Sequence, residues 1–109
     1  MSEQKAGALR GGRRLKIMRD AVNLIQTDWC ELTGMSLTRL RNLELLRVKM
    51  NEDDYECVLR LFPEFSLWLV MQGPVSAEAL RNSKNKFCRF VAAKFDEGVL
   101  KGELTKALR

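Results

Sequence analysis

The stretch QTDWCELTGMSLTRLRNLE, residues 26–44, holds two short helix-forming runs on either side of a glycine. Isolated helices shorter than about 12 residues are marginal in water, so neither run stands alone and each must pack on the other. Gln26 to Thr33 forms the first, with Trp29, Cys30 and Leu32 turned inward. Gly34 ends it where the chain needs positive φ. Ser36 caps the second, Leu37 to about Leu46, whose inward side is Leu40 and Leu43. Cys30, a small residue, lets the two helices approach. The outer side of the second helix, with Leu37, Thr38, Arg41, Asn42 and Leu45, is left free.

Outward from this pair the pattern stays helical. Leu15, Met18, Ala21 and Val22 recur at helical spacing until Asn23, which can close a helix in the left-handed conformation. Asn51 is a good N-cap for a fourth helix, because Glu52, Asp53 and Asp54 fill its first turn and suit the helix dipole. That helix turns Tyr55, Val58, Leu59 and Phe62 inward. Pro63 stops it and opens a fifth, PEFSLWLVMQG, ended by Gly73 and Pro74. Ser76 caps a longer run through Phe95 with Leu80, Phe87, Val91 and Phe95 on one stripe. Leu100, Leu104 and Leu108 predict a short tail helix. No strand pattern of comparable quality appears, so the expected class is all-α: five helices, one long C-terminal helix and a short tail helix. The expected division is a flexible basic arm over 1–13, a helical domain over 14–73 and a helical extension over 74–109.

Composition limits what such a chain does. At 109 residues with 46% hydrophobic content it has room for one modest core and not for a large catalytic cleft. No histidine, carboxylate pair outside a helix cap, nucleophile motif or phosphate-cradling glycine loop is present, so neither an enzyme nor a metal or other cofactor is expected. Cys30, Cys57 and Cys88 stand singly and read as reduced, mostly buried thiols. No apolar run of about 18 residues exists and the N-terminus lacks a secretory apolar segment, so the expected location is the cytoplasm, without a membrane partner. The net charge of +5 is uneven. Lys5, Arg10, Arg13, Arg14, Lys16 and Arg19 face Glu3 alone at one end, eight basic residues face four acidic ones after residue 64, and the middle is acidic. A polyanion would be drawn to those flanks.

Two short helices joined by a three- or four-residue turn containing glycine make the helix-turn-helix, whose second helix enters the major groove of DNA. The order RLKIMRDAVNLIQTDWCELTGMSLTRLRNLE resembles the Cro and phage-repressor type of helix-turn-helix regulator, also called the xenobiotic-response-element family. Leu24, Gln26, Cys30, Gly34, Met35, Ser36, Leu40, Leu43 and Glu44 match in one register, and FPEFSLWLVMQG is similar to the closing P-x-W-L-x-x-G of these domains. The resemblance covers residues 14–73.

The resemblance implies a transcriptional regulator of bacterial or phage origin, a repressor, that binds double-stranded DNA on the nucleoid. Thr38, Arg41 and Asn42 fall at positions facing base edges, where Arg forks onto guanine and Asn onto adenine, and Leu37 at one that can touch a thymine methyl. Gln26 would bond a phosphate, and Arg39, Arg47, Lys49 and the arm residues Arg13 and Arg14 would serve the backbone. The stripe Leu80, Phe87, Val91 and Phe95 could pack on its own domain or on a second copy; a lone helix-turn-helix touches few bases, so a homodimer held partly by residues 76–108 is the expectation. Three departures leave a second class open: Ile25 replaces the usual Thr or Ser cap, Leu37 puts an apolar residue at the first reading position, and LLRVKM is an apolar connector. They fit an adaptor or anti-regulator that keeps the scaffold and holds a protein partner through Leu37, Leu45 and Leu46.

Overall fold

The computed structural model describes residues 10–109, which are all-α apart from one isolated bridge, Val75 to Leu108. In chain order the helices are α1 (Gly11–Ala21), α2 (Gln26–Thr33), α3 (Leu37–Glu44), α4 (Glu52–Leu59), a 3₁₀ turn over Pro63–Phe65 that runs into α5 (Ser66–Met71), α6 (Ala77–Arg81), α7 (Lys86–Asp96) and α8 (Glu103–Ala107). None of them is long and apolar enough to cross a membrane. Residues 1–9 of the expected basic arm lie outside the described residues, and its remainder differs from expectation: α1 begins at Gly11, so Arg13 and Arg14 are helical.

Helix boundaries follow local chemistry. Asn23 follows α1 with φ 64°, and Gly34 follows α2 with φ 84°, its N–H donating to the Cys30 carbonyl at 2.8 Å. Ser36 Oγ accepts from Arg39 N at 3.1 Å. Asn51 and Asp54 form a reciprocal capping box on α4, each side chain accepting from the other's backbone N–H.

The run from Ser76 to Phe95 is not one helix. It breaks over 82–85, where the short polar side chains of Ser83 and Asn85 compete for backbone groups. Ser83 Oγ accepts from Asn85 N at 3.0 Å, Asn85 Oδ1 accepts from Phe87 N at 2.8 Å, and Asn85 Nδ2 donates to the Leu61 carbonyl at 2.8 Å. The resulting α6 and α7 pack on each other, and Arg81 grips Asp96 through two bonds of 2.8 Å.

A single buried cluster joins every part of the described chain. Leu15 and Met18 from α1, Trp29 from α2, Leu40 and Leu43 from α3, Val58 from α4, Trp68 from α5, Leu80 from α6, Val91 from α7 and Leu104 from α8 all belong to it. Trp29 stacks on Phe62 at 5.4 Å between ring centroids, and Phe65 meets Phe62 edge-on at 6.3 Å. Residues 74–109 therefore help to build the core. Leu80 and Val91, expected to face a second copy, have no exposed surface to offer one, and Phe95 is half-buried against the same core. The tail also returns to the α5–α6 connection: Val75 N donates to the Ala107 carbonyl and Arg109 N to the Val75 carbonyl.

The first helix sits unusually close to α3. A Cβ at Gly12 would lie 2.0 Å from the Leu43 carbonyl oxygen, so only glycine admits this approach.

Candidate nucleic-acid interface

The α2–α3 pair is joined by Gly34, Met35 and Ser36. Met35 is buried, and Thr33 braces the turn by donating to the Trp29 carbonyl at 2.9 Å and accepting from Met35 N at 3.2 Å. Ile25, as its side chain dictates, gives no cap to α2, and Asp28 in the first turn is left to answer the helix dipole. Leu32 departs from expectation: it is 38% exposed and lies on the outer side of α2.

The orientation of α3 is held by two charge pairs, one buried and one part-exposed. Arg19, 8% exposed on α1, donates from Nε to Glu44 Oε2 at 2.7 Å and from Nη2 to Glu44 Oε1 at 2.8 Å. Its Nη1 reaches the Leu24 carbonyl at 2.8 Å, and Gln26 Nε2 also donates to Glu44 Oε1 at 3.0 Å. One carboxylate thus ties α1, the α1–α2 connection and α2 to the last residue of α3. The Glu44 bonds raise the Arg19 guanidinium pKa above its usual value, and burial, with Glu44 nearby, pushes the Cys30 thiol up. Breaking such a buried pair by removing one partner costs about 3–5 kcal/mol. At the other side of α3, Arg39 donates from Nε and Nη2 to Asp54 at 3.1 and 2.6 Å and from Nη2 to the Lys49 carbonyl at 3.1 Å.

These bonds reassign two expected phosphate ligands. Arg39 is the clamp between α3 and α4, its charge answered by Asp54. Arg14 is buried, and its Nε and Nη2 donate to the Leu69 and Val70 carbonyls at 2.8 and 3.1 Å. It closes the C-terminal end of α5, whose last carbonyls have no partner inside the helix. Gln26 keeps one amide hydrogen beyond the Glu44 bond.

The remaining expected residues fall into distinct groups. Thr38 and Arg41 are exposed and Leu37 and Asn42 half-buried on α3, and the side chains of Thr38, Arg41 and Asn42 make no hydrogen bond among the described residues. Arg47 and Lys49 are exposed in the α3–α4 connection, and their cationic groups form no ion pair among the described residues. Arg13 stands apart, lining a groove of about 500 Å³ between α1 and the α7–α8 connection with Asp20, Lys94 and Lys101.

Sequence reading missed Arg19 as the organiser of this surface. The signal was present: Arg19 falls on the inward stripe of Leu15, Met18 and Val22, where a charge requires a buried partner. Neither a family model, nor a curated protein, nor a solved structure matches the chain.

Proposed function

We propose that the chain is a sequence-specific double-stranded DNA-binding regulator of the Cro and phage-repressor type, a homodimer that represses by occupying its site. The observation that carries this reading is the outer side of α3, where the side chains of Thr38, Arg41 and Asn42 make no hydrogen bond or ion pair among the described residues, on a helix whose inner side is clamped at both ends by Arg19–Glu44 and Arg39–Asp54. Polar groups free of internal bonds on a rigid helix are what base readout requires: donors and acceptors held in place and not already satisfied. Arg41 would fork onto guanine and Asn42 onto adenine. Arg47, Lys49 and the free amide hydrogen of Gln26 would meet phosphates, supplying affinity that falls with salt.

Selection of bound sequences from a random duplex library at near-physiological salt tests this. The expected result is an inverted repeat with half-sites about one helical turn apart. Arg41→Ala should then weaken the selected site by about 1–3 kcal/mol while leaving random DNA nearly unaffected. Equal loss on both would reduce Arg41 to a phosphate contact.

A protein partner is the second reading, favoured by Leu45 at 60% and Leu46 at 36% exposure just beyond α3. An adaptor would use these leucines with Leu37 as an apolar anchor. A library selection that enriches no motif would favour it.

A further inference from the structure

On a different part of the surface, α7 and the α1–α2 region enclose two shallow clefts that meet at Phe87. One, about 280 Å³, is formed by Val22, Phe90 and Phe87 with Lys86 at its edge. The other, about 320 Å³, is formed by Leu24, Leu32 and Phe87 with Asp28 and Glu31 at its edge. Phe90 and Leu32 remain 36% and 38% exposed. The Lys94 ammonium lies 5.4 Å from the Phe90 ring centre, and that of Lys86 lies 5.4 Å from the Phe87 ring centre. The strip therefore has an ammonium edge, an apolar middle and a carboxylate edge.

The charged groups on the two edges have no ion-pair partner among the described residues. Asp28, Glu31, Lys86 and Lys94 form no ion pair among the described residues, whereas Lys16 pairs with Asp20, Arg60 with Glu56 and Lys106 with Glu103 within a turn of helix. Turning such a strip by 180° about an axis through Phe87 lays its ammonium edge on a carboxylate edge and its aromatic middle on itself. That is the self-complementarity a two-fold interface demands, since the same patch must serve both subunits.

We infer that this α2–α7 strip is the contact surface of a homodimer, with Lys86 and Lys94 of each copy meeting the partner's Asp28 and the partner's Glu31 around paired Phe87 and Phe90 rings. Of the stripe expected from sequence, only Phe87 takes part; Phe90, Leu24 and Leu32 replace the rest. The inference deepens the dimeric reading proposed above and rests on it. Its test contains no DNA, so a failed dimer and a failed DNA selection are separate results.

Two charge-reversed chains make the test: Asp28→Lys with Glu31→Lys, which turns both edges basic, and Lys86→Glu with Lys94→Glu, which turns both acidic. Light scattering at about 100 µM protein, well above a micromolar Kd, should give a dimer for the unaltered chain. Each reversed chain alone should dissociate, its self-association weakened about a hundredfold by like charges facing across both edges. An equimolar mixture of the two should dimerise again, because an all-basic patch then meets an all-acidic one. A monomeric unaltered chain, a reversed chain that still dimerises alone, or a mixture that stays monomeric overturns the inference. If a reversed chain loses its helical circular dichroism, the neutral variant of the same edge, Asp28→Asn with Glu31→Gln or Lys86→Gln with Lys94→Gln, takes its place. It should weaken the dimer about tenfold, and unchanged association would overturn the inference.

Discussion

Replacing Gly12 by alanine adds one methyl group, and the structure gives that methyl a definite obstacle. Its Cβ would sit 2.0 Å from the Leu43 carbonyl oxygen and 2.9 Å from the carbonyl carbon. Contacts below 3.0 Å are essentially never adopted by real Cβ atoms, so α1 and α3 must separate by about 1 Å. The obstacle is backbone, which cannot swing aside as a side-chain tip does. Overpacking of this kind costs about 1–3 kcal/mol, and the upper end applies because both elements are also tied by Arg19 and Glu44. Alanine's better helix propensity offsets up to about 1 kcal/mol. The expected net loss is about 2 kcal/mol, a fall in Tm of roughly 10 °C for a domain of this size. Gly11→Ala is the comparison, because its Cβ would meet side-chain atoms and not backbone, the Tyr55 hydroxyl at 2.9 Å and the Met50 sulfur at 3.3 Å. Urea unfolding of the two variants side by side is the assay. Equal stability for Gly12→Ala and the unaltered chain would refute the close approach of α1 to α3.

Arg14→Met should lower stability by about 2–3 kcal/mol in chemical unfolding, through loss of its bonds to the Leu69 and Val70 carbonyls, and leave the salt dependence of the proposed DNA binding unchanged. A shallower salt slope at unaltered stability would return Arg14 to the phosphate contacts. Hydrogen bonds from Arg81 hold the Asp96 carboxyl below its ordinary 3.8. The stabilisation is therefore fully present above that ordinary value and lost as pH falls through the lowered one, and Asp96→Asn should flatten this acid limb of a stability against pH curve. An unchanged limb would show that the α6–α7 clasp contributes nothing. Burial raises the Cys88 thiol to about 12 and leaves its side chain fully covered, so an alkylating reagent at pH 8 should modify Cys30 and Cys57 first, as read by peptide mass. Early labelling of Cys88 would mean that α7 opens readily.

What could be read directly from sequence was whatever short-range chemistry determines. Gly34, Ser36 and Asn51 bond to groups within four residues, so the ends of α2, α3 and α4 were legible from neighbouring residues alone. Apolar periodicity likewise located most of the core, including both tryptophans. It misled in the C-terminal third, because Leu80, Val91 and Phe95 keep helical phase across the Asn82–Asn85 break while the turn redirects the chain. The roles of Arg14 and Arg39 were hidden for another reason. Their partners lie 55 and 15 residues away, and a count of positive charge cannot distinguish a guanidinium that faces water from one already bound to a carbonyl or a carboxylate. Of the outward residues of α3, Thr38 and Arg41 were placed correctly by their spacing from Leu40 and Leu43.

The Arg19–Glu44 clamp separates two tasks that compete in most small domains. The hydrogen bonds that hold α3 run from its inner side and its two ends, through Arg19, Glu44, Ser36, Arg39 and Asp54. The side chains of Thr38, Arg41 and Asn42 make no hydrogen bond among the described residues, so substitutions at the exposed Thr38 and Arg41 should leave stability nearly unchanged. The scaffold is a fixed holder with an exchangeable face, and variants differing at Thr38 and Arg41 should melt alike, whatever the proposed recognition makes of them.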